Sequence, residues 1–166
     1  TGSFVNVHTG HTATLLPSGK VLVVGGSGGT AELYDPAANG GVGAFAAAGS
    51  LNAARDTHTS TLLPDGRVVF LGGEYLNSVT AQGWFVRVAE QYDPVAGIFS
   101  ATGPLATGRS FHTATLLADG RTLMVGGADG AVALATLDAR GSPTVISGVI
   151  RRHTAAVLAL SQVAGE

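Results

Sequence analysis

Histidine is the side chain here whose type and spacing suggest chemistry. Four of the five histidines, His11, His58, His112 and His153, are each followed by threonine and recur at spacings of 47, 54 and 41 residues. Neutral imidazole is a common metal ligand, so histidines in register raise the prospect of a metal held near an axis. Copies rotated about an axis need not converge on one point, however. An imidazole that hydrogen-bonds a neighbouring unit explains the same recurrence more simply, so no metal and no cofactor are expected. His8 stands where Arg55 and Arg109 stand in later copies, three residues before the repeated histidine, and reads as a replaced arginine. The arginines are expected to reach carboxylates or carbonyls at the junction between units.

Acidic residues recur in the same way: Glu32 and Glu90, then Asp35, Asp93 and Asp138. A paired-carboxylate mechanism needs two carboxyls roughly 5–10 Å apart across a substrate. Residues repeated at one position in separate units are better read as turn formers, since Asp accepts hydrogen bonds from amides two residues on. No serine-centred nucleophile elbow occurs. Gly25-Gly26-Ser27-Gly28-Gly29 is not followed by a helix that would complete a phosphate cradle.

The copies differ most after the second double glycine, where residues 74–88 replace the short Ser27-Gly28-Gly29-Thr30 crossing. This insertion holds the only tryptophan, and its candidate ligand-binding residues are Glu74, Tyr75, Asn77, Gln82, Trp84 and Arg87. Aromatics beside amide, carboxylate and guanidinium groups suit a sugar or peptide surface, with rings stacking and polar groups fixing orientation. The alternative is that Trp84-Phe85-Val86 lengthens the following strand and packs between units.

The elements that position these residues come from one phrase, His-Thr-x-Thr-Leu-Leu-x-x-Gly-(Lys/Arg), then four residues and Gly-Gly. It runs from His11 to Gly26, His58 to Gly73 and His112 to Gly127. Asp65-Gly66 and Asp119-Gly120, with Ser18-Gly19 as a weaker form, sit between two apolar runs and predict a β-hairpin with a primed turn. Gly25-Gly26, Gly72-Gly73 and Gly126-Gly127 end the second strand. A third strand closes on Tyr34-Asp35-Pro36 or Tyr92-Asp93-Pro94, and Phe45 or Phe99 marks a fourth. Helical periodicity is absent. With self-similarity at 41–54 residues, this predicts an all-β chain of repeated four-stranded units.

Composition fits. The 166-residue chain has 25 glycines, no cysteine and a formal net charge of −2, so neither a disulfide framework nor a basic nucleic-acid surface is expected. No apolar run reaches the roughly 18 residues of a membrane span.

The double glycine, the later Tyr-Asp-Pro and the aromatic beyond it resemble the kelch repeat. The wording of the phrase is similar to bacterial kelch-like proteins and to the propeller of galactose-oxidase-type enzymes. The resemblance implies a kelch-type β-propeller of about three four-stranded blades with partial flanking strands, an incomplete ring. The third unit departs from it, having Leu137-Asp138-Ala139 in place of Tyr-Asp-Pro. Residues 1–10 are expected to end a preceding blade, 11–57, 58–111 and 112–152 to form blades, and 153–166 to begin another. Completion would come from further blades of a longer protein or from a second copy. The function implied is a non-enzymatic binding or scaffold module, secreted or on a bacterial cell surface, recognising a protein or carbohydrate. The alternative is a structural part of a larger carbohydrate-active oxidase. The copper site of such oxidases uses a cysteine cross-linked to a tyrosine, which a chain without cysteine does not supply.

Overall fold

The repeated phrase folds as a hairpin because its two apolar runs pair across a glycine that takes positive φ. In the first unit β1 (Thr12–Leu15) pairs antiparallel with β2 (Val21–Val24), matching Thr12 with Val24 and Leu15 with Val21. The turn differs from the primed form expected. Only its glycines, Gly19, Gly66 and Gly120, have positive φ (80°, 87° and 83°). Leu16 N–H donates to Lys20 O at 2.8 Å and Gly19 N–H to Leu16 O at 2.9 Å. This is a three-residue loop with a left-handed glycine, in which proline at the first position is tolerated.

The structure, a computed structural model, describes residues 3, 5, 6, 8–26, 28–76, 83–127, 132–137 and 143–150, with only the backbone described for 76, 132–137 and 143–150. From β2 the first unit continues through β3 (Thr30–Asp35) to β4 (Ala44–Ser50), by way of a single helical turn, Ala38–Gly41, broken by left-handed Asn39 (φ 53°) and Gly40 (φ 69°). Sheet one therefore has the order β1-β2-β3-β4. Sheet two contains β5 (Thr59–Leu62), β6 (Val68–Leu71), β9 (Val88–Asp93) and β10 (Ile98–Pro104), in that order across the sheet. Its insertion forms a separate two-stranded sheet of β7 (Glu74–Leu76) and β8 (Gly83–Phe85). Sheet three is β11 (His112–Leu116), β12 (Thr122–Gly126), β13 (Val132–Leu137) and β14 (Pro143–Ile150). Every pairing is antiparallel, and apart from the inserted β7–β8 hairpin each strand pairs with its neighbour in sequence, which is the blade pattern of a propeller. Three such sheets form an open, propeller-like arc among the described residues, without ring closure. His153, Asp138 and most of the expected flanking strands lie outside those residues.

Packing follows strand alternation. Leu16, Leu22, Val24 and Ala31 of the first unit meet Val68, Phe70 and Tyr92 of sheet two in one core. Leu63, Val69, Leu71 and Ala89 of the second unit meet Met124 of sheet three in another. Sheet two is thus buried on both faces, as its unbroken run Val68-Val69-Phe70-Leu71 requires. Each buried aliphatic or aromatic side chain contributes about 1.5–3 kcal/mol. Among the described residues no helix is long and apolar enough to cross a membrane.

Candidate functional site

The first strands of successive sheets lie side by side, and the repeated histidines join them. His58 Nε2 hydrogen-bonds Thr12 Oγ1 of the preceding unit at 3.0 Å, and His112 Nε2 hydrogen-bonds Thr59 Oγ1 at 2.9 Å. Each ring also covers the first glycine of the preceding double glycine. A Cβ on Gly25 would lie 2.7 Å from His58 Cε1, and one on Gly72 would lie 2.6 Å from His112 Cε1. Glycine is needed there for the close approach as well as for positive φ. Burial, with the nearby Arg55 and histidine charges, pushes the His58 pKa down to about 3. Burial and Arg109 lower His112 to about 4. Both are neutral at physiological pH. Among the described residues no group of three or more His, Cys, Asp or Glu side chains is placed to hold a metal ion.

Behind the histidines lies a buried ion pair. Arg55 Nη2 meets Glu90 Oε1 at 2.6 Å with both side chains fully enclosed, while Arg55 Nη1 donates to Gly72 O and Val88 O. Glu90 also accepts from Asn52 N–H, Asn52 Nδ2 and Ala53 N–H at 2.7–3.0 Å, so the charge is fully solvated by the link between sheets. Sheet one repeats this cradle with histidine in place of arginine. Glu32 accepts from Val5 N–H, Asn6 N–H and Asn6 Nδ2, and His8 Nε2 lies 3.3 Å from it. Burial alone would raise the Glu32 carboxyl, but these donors outweigh it and hold the pKa below the usual range. The glutamates are therefore junction anchors and not turn formers. The aspartates cap turns instead: Asp35 accepts from Ala37 N–H at 2.9 Å, and Asp93 from Val95 N–H at 2.8 Å. Arg109 donates to Gly126 O at 2.7 Å, and Ala135 takes the register position of the two glutamates in sheet three.

With the repeated residues occupied in joining sheets, the insertion remains. It is neither an open loop nor a longer third strand, but a hairpin of its own. Glu74 pairs with Phe85, Tyr75 with Trp84 and Leu76 with Gly83. Val86 N–H closes its base onto Gly73 O at 2.8 Å. Asp56 and Glu74 exchange backbone hydrogen bonds of 2.8 and 2.9 Å, which pin β7 to the link between sheets one and two. On the other side, Phe85 seats on Gly108, where a Cβ would come within 2.7 Å of Phe85 O. Thus the hairpin is held by both flanking links.

The Tyr75 and Trp84 rings meet at 5.2 Å with a 42° tilt. Trp84 remains 53% exposed and Phe85 39%. With Val86, Arg87, Val88, Ala53 and Ala54 they line a cleft of about 570 Å³. Arg87 is its one charged lining residue, and Nε donates to Leu105 O at 3.1 Å. Of the residues singled out in the sequence, Tyr75, Trp84 and Arg87 come together here. Glu74 does not line the cleft: its carboxylate accepts from Ser110 Oγ at 3.3 Å. Burial raises the pKa of neighbouring Asp56, and the Glu74 charge adds to that rise. Asn77 and Gln82 lie outside the described residues. Phe85 belongs to the 74–88 insertion singled out in the sequence, but Ala53 and Ala54 were not evident, because only the fold brings the small residues of the link under the hairpin.

A slightly larger cleft, about 620 Å³, lies at the opposite end between the turns of sheets one and two. Its charged side chains are already engaged, Lys20 with Asp35 at 3.0 Å, Arg67 with Asp65, and Asp93 with the Val95 and Ala96 backbone N–H groups, so the hairpin cleft is the better candidate.

No protein-family profile and no curated protein matches the chain. Among solved structures, one described as "Structure of YjhT" is similar over 90% of the chain, with a TM-score of 0.69 and 14% sequence identity. The chain spans 54% of that structure's length. At this identity the likeness is one of fold, and it agrees with the sheet order above: the chain has an all-β, propeller-like fold.

Proposed function

We infer that this chain is a non-enzymatic binding module that recognises a carbohydrate or an extended protein segment through the cleft under the β7–β8 hairpin. The observation that carries the reading is Trp84, more than half exposed, packed at a tilt against Tyr75 and set on a hairpin pinned from both sides. An exposed indole on a rigid mount offers a flat apolar surface at little entropic cost. Arg87 supplies directional donors at the rim, since among the described residues only its Nε is engaged, on Leu105 O. The kelch-like pattern of the sequence supports the same reading, because its repeated residues are consumed in joining sheets and leave recognition to the insertion.

Glycan and protein arrays probed with the parent chain and with Trp84→Ala test it. Loss of a stacking aromatic should weaken binding by about 1–3 kcal/mol, roughly five- to 150-fold. Binding that survives Trp84→Ala and Arg87→Ala unchanged would remove the cleft as the site.

A further inference from the structure

The cleft under the β7–β8 hairpin belongs to the middle sheet, between the links to both of its neighbours, and its lining separates the two ligand classes named above. An extended peptide draws much of its affinity from main-chain hydrogen bonds to a free strand edge. Here the lining backbone is largely spent. Arg87 O accepts from Leu105 N–H at 2.6 Å, Val88 O from Arg55 Nη1 at 2.7 Å and Ala53 O from Arg55 Nε at 3.1 Å. Ala53 N–H goes to Glu90 Oε1 and Val86 N–H to Gly73 O. What the cleft offers instead is an apolar platform, Trp84 and Phe85 beside Tyr75, Ala53 and Ala54. A pyranose ring needs such a platform and no strand edge. The volume, about 570 Å³, lies within the range of small-ligand pockets.

Arg87 adds a charge to that platform. Among the described residues Lys20, Arg55, Arg67 and Arg121 each meet a carboxylate, that of Asp35, Glu90, Asp65 and Asp119 respectively. The Arg87 side chain is exposed and meets none among the described residues; Nε donates to Leu105 O at 3.1 Å. That bond steadies the guanidinium plane and leaves its Nη1–Nη2 edge, two parallel donors whose spacing matches the two oxygens of a carboxylate. No second charged side chain lines the cleft among the described residues, so a single negative charge balances it and a doubly charged phosphate does not.

We propose that the cleft takes a uronic-acid residue of a glycan, with the pyranose face on Trp84 and the ring carboxylate on the Nη edge of Arg87. This rests on the reading of the hairpin cleft as the binding site, and it adds the charge and the class of the ligand.

Isothermal titration calorimetry of the 166-residue chain with trimers of galacturonate, mannuronate and glucuronate, each beside its methyl ester, tests this. Esterification removes the charge and keeps the ring. At least one acid should bind about tenfold or more tighter than its ester. Arg87→Gln should bring that acid down to the level of its ester and leave the ester unchanged. Arg87→Lys, which keeps the charge without the fork, should recover only part of the difference. Trp84→Ala should weaken acid and ester alike, and raising salt from about 0.05 to about 0.5 M should weaken the acid alone. An ester bound as tightly as its acid, with both lost in Trp84→Ala, would overturn the uronate inference and leave the hairpin reading standing. Acid binding that neither Arg87→Gln nor Trp84→Ala alters would remove the cleft itself. The inference also fails if no trimer binds up to about 10 mM, or if a sulfated galactose trimer binds as tightly as the best uronate.

Discussion

His58 and His112 are neutral wedges between sheets, and that makes the junctions sensitive to acid. In the unfolded chain each imidazole titrates near 6.5; folded, His58 titrates at about 3 and His112 at about 4. Between those values the unfolded state binds more protons, so stability is lost as pH falls from 6.5 and the loss is complete only below the folded pKa. On this reckoning each histidine costs on the order of 2–4 kcal/mol by pH 4. Carboxylates such as Glu32, whose folded pKa is lowered, also lose stability on acidification, so the comparison that isolates the imidazole is with His58→Gln. Thermal melts at pH 7, 5.5 and 4.5 should show a steeper fall in Tm for the parent than for the variant. Parallel slopes would refute the assignment. The sequence made the role of these histidines readable as structure, because a residue repeated once per unit serves the unit. Their partners were not readable: Thr12 and Gly25 belong to the preceding unit, and only stacking brings them under His58. His8 was readable as a substituted arginine, and it meets Glu32 where Arg55 meets Glu90.

At the scale of elements, the hairpins of the phrase were legible from Asp-Gly between apolar runs, although the turn takes one more residue than expected. The β7–β8 hairpin was not. Its strands are three residues each, too short to show alternation, and their stability comes from Asp56 in one link and Gly108 in the other. Gly108 is accordingly the position at which to move the hairpin without substituting a residue that lines the cleft. A valine there places Cβ against Phe85 O and its β-carbon, 2.7 and 2.9 Å away, so the strand must shift or twist. Neither inter-sheet core contains a residue of β7 or β8, and the global cost should stay near 1 kcal/mol. The expected outcome for Gly108→Val is a nearly unchanged Tm with tryptophan emission shifted as Trp84 moves, and with ligand binding weakened. An unaltered emission spectrum would show that the Phe85–Gly108 contact does not position the hairpin.

The whole molecule behaves as a short stack in which each sheet owes its stability to its neighbours. The all-β, propeller-like fold was legible because period, double glycines and turn residues all recur together; what the recurrence left open was which faces end up covered. In the single chain that question has an uneven answer. Val68, Val69, Phe70 and Leu71 of β6 are completely enclosed, each facing one of two cores, whereas alternate residues of β1 lie at the surface. An amide exchanges through local openings whose free energy grows with the apolar surface they uncover, so exchange should not be uniform. Hydrogen–deuterium exchange of the chain should find β6 and the paired part of β9 slowest. The outer strand β4 and the first strand β1 should exchange faster, by opening of sheet one with sheets two and three still packed. Phe70→Ala should cost about 3–5 kcal/mol and speed exchange in β1 and β4, since it removes a ring from the core that couples sheets one and two. If β1 is protected as strongly as β6, the sheets unfold as one cooperative block and the stack description fails.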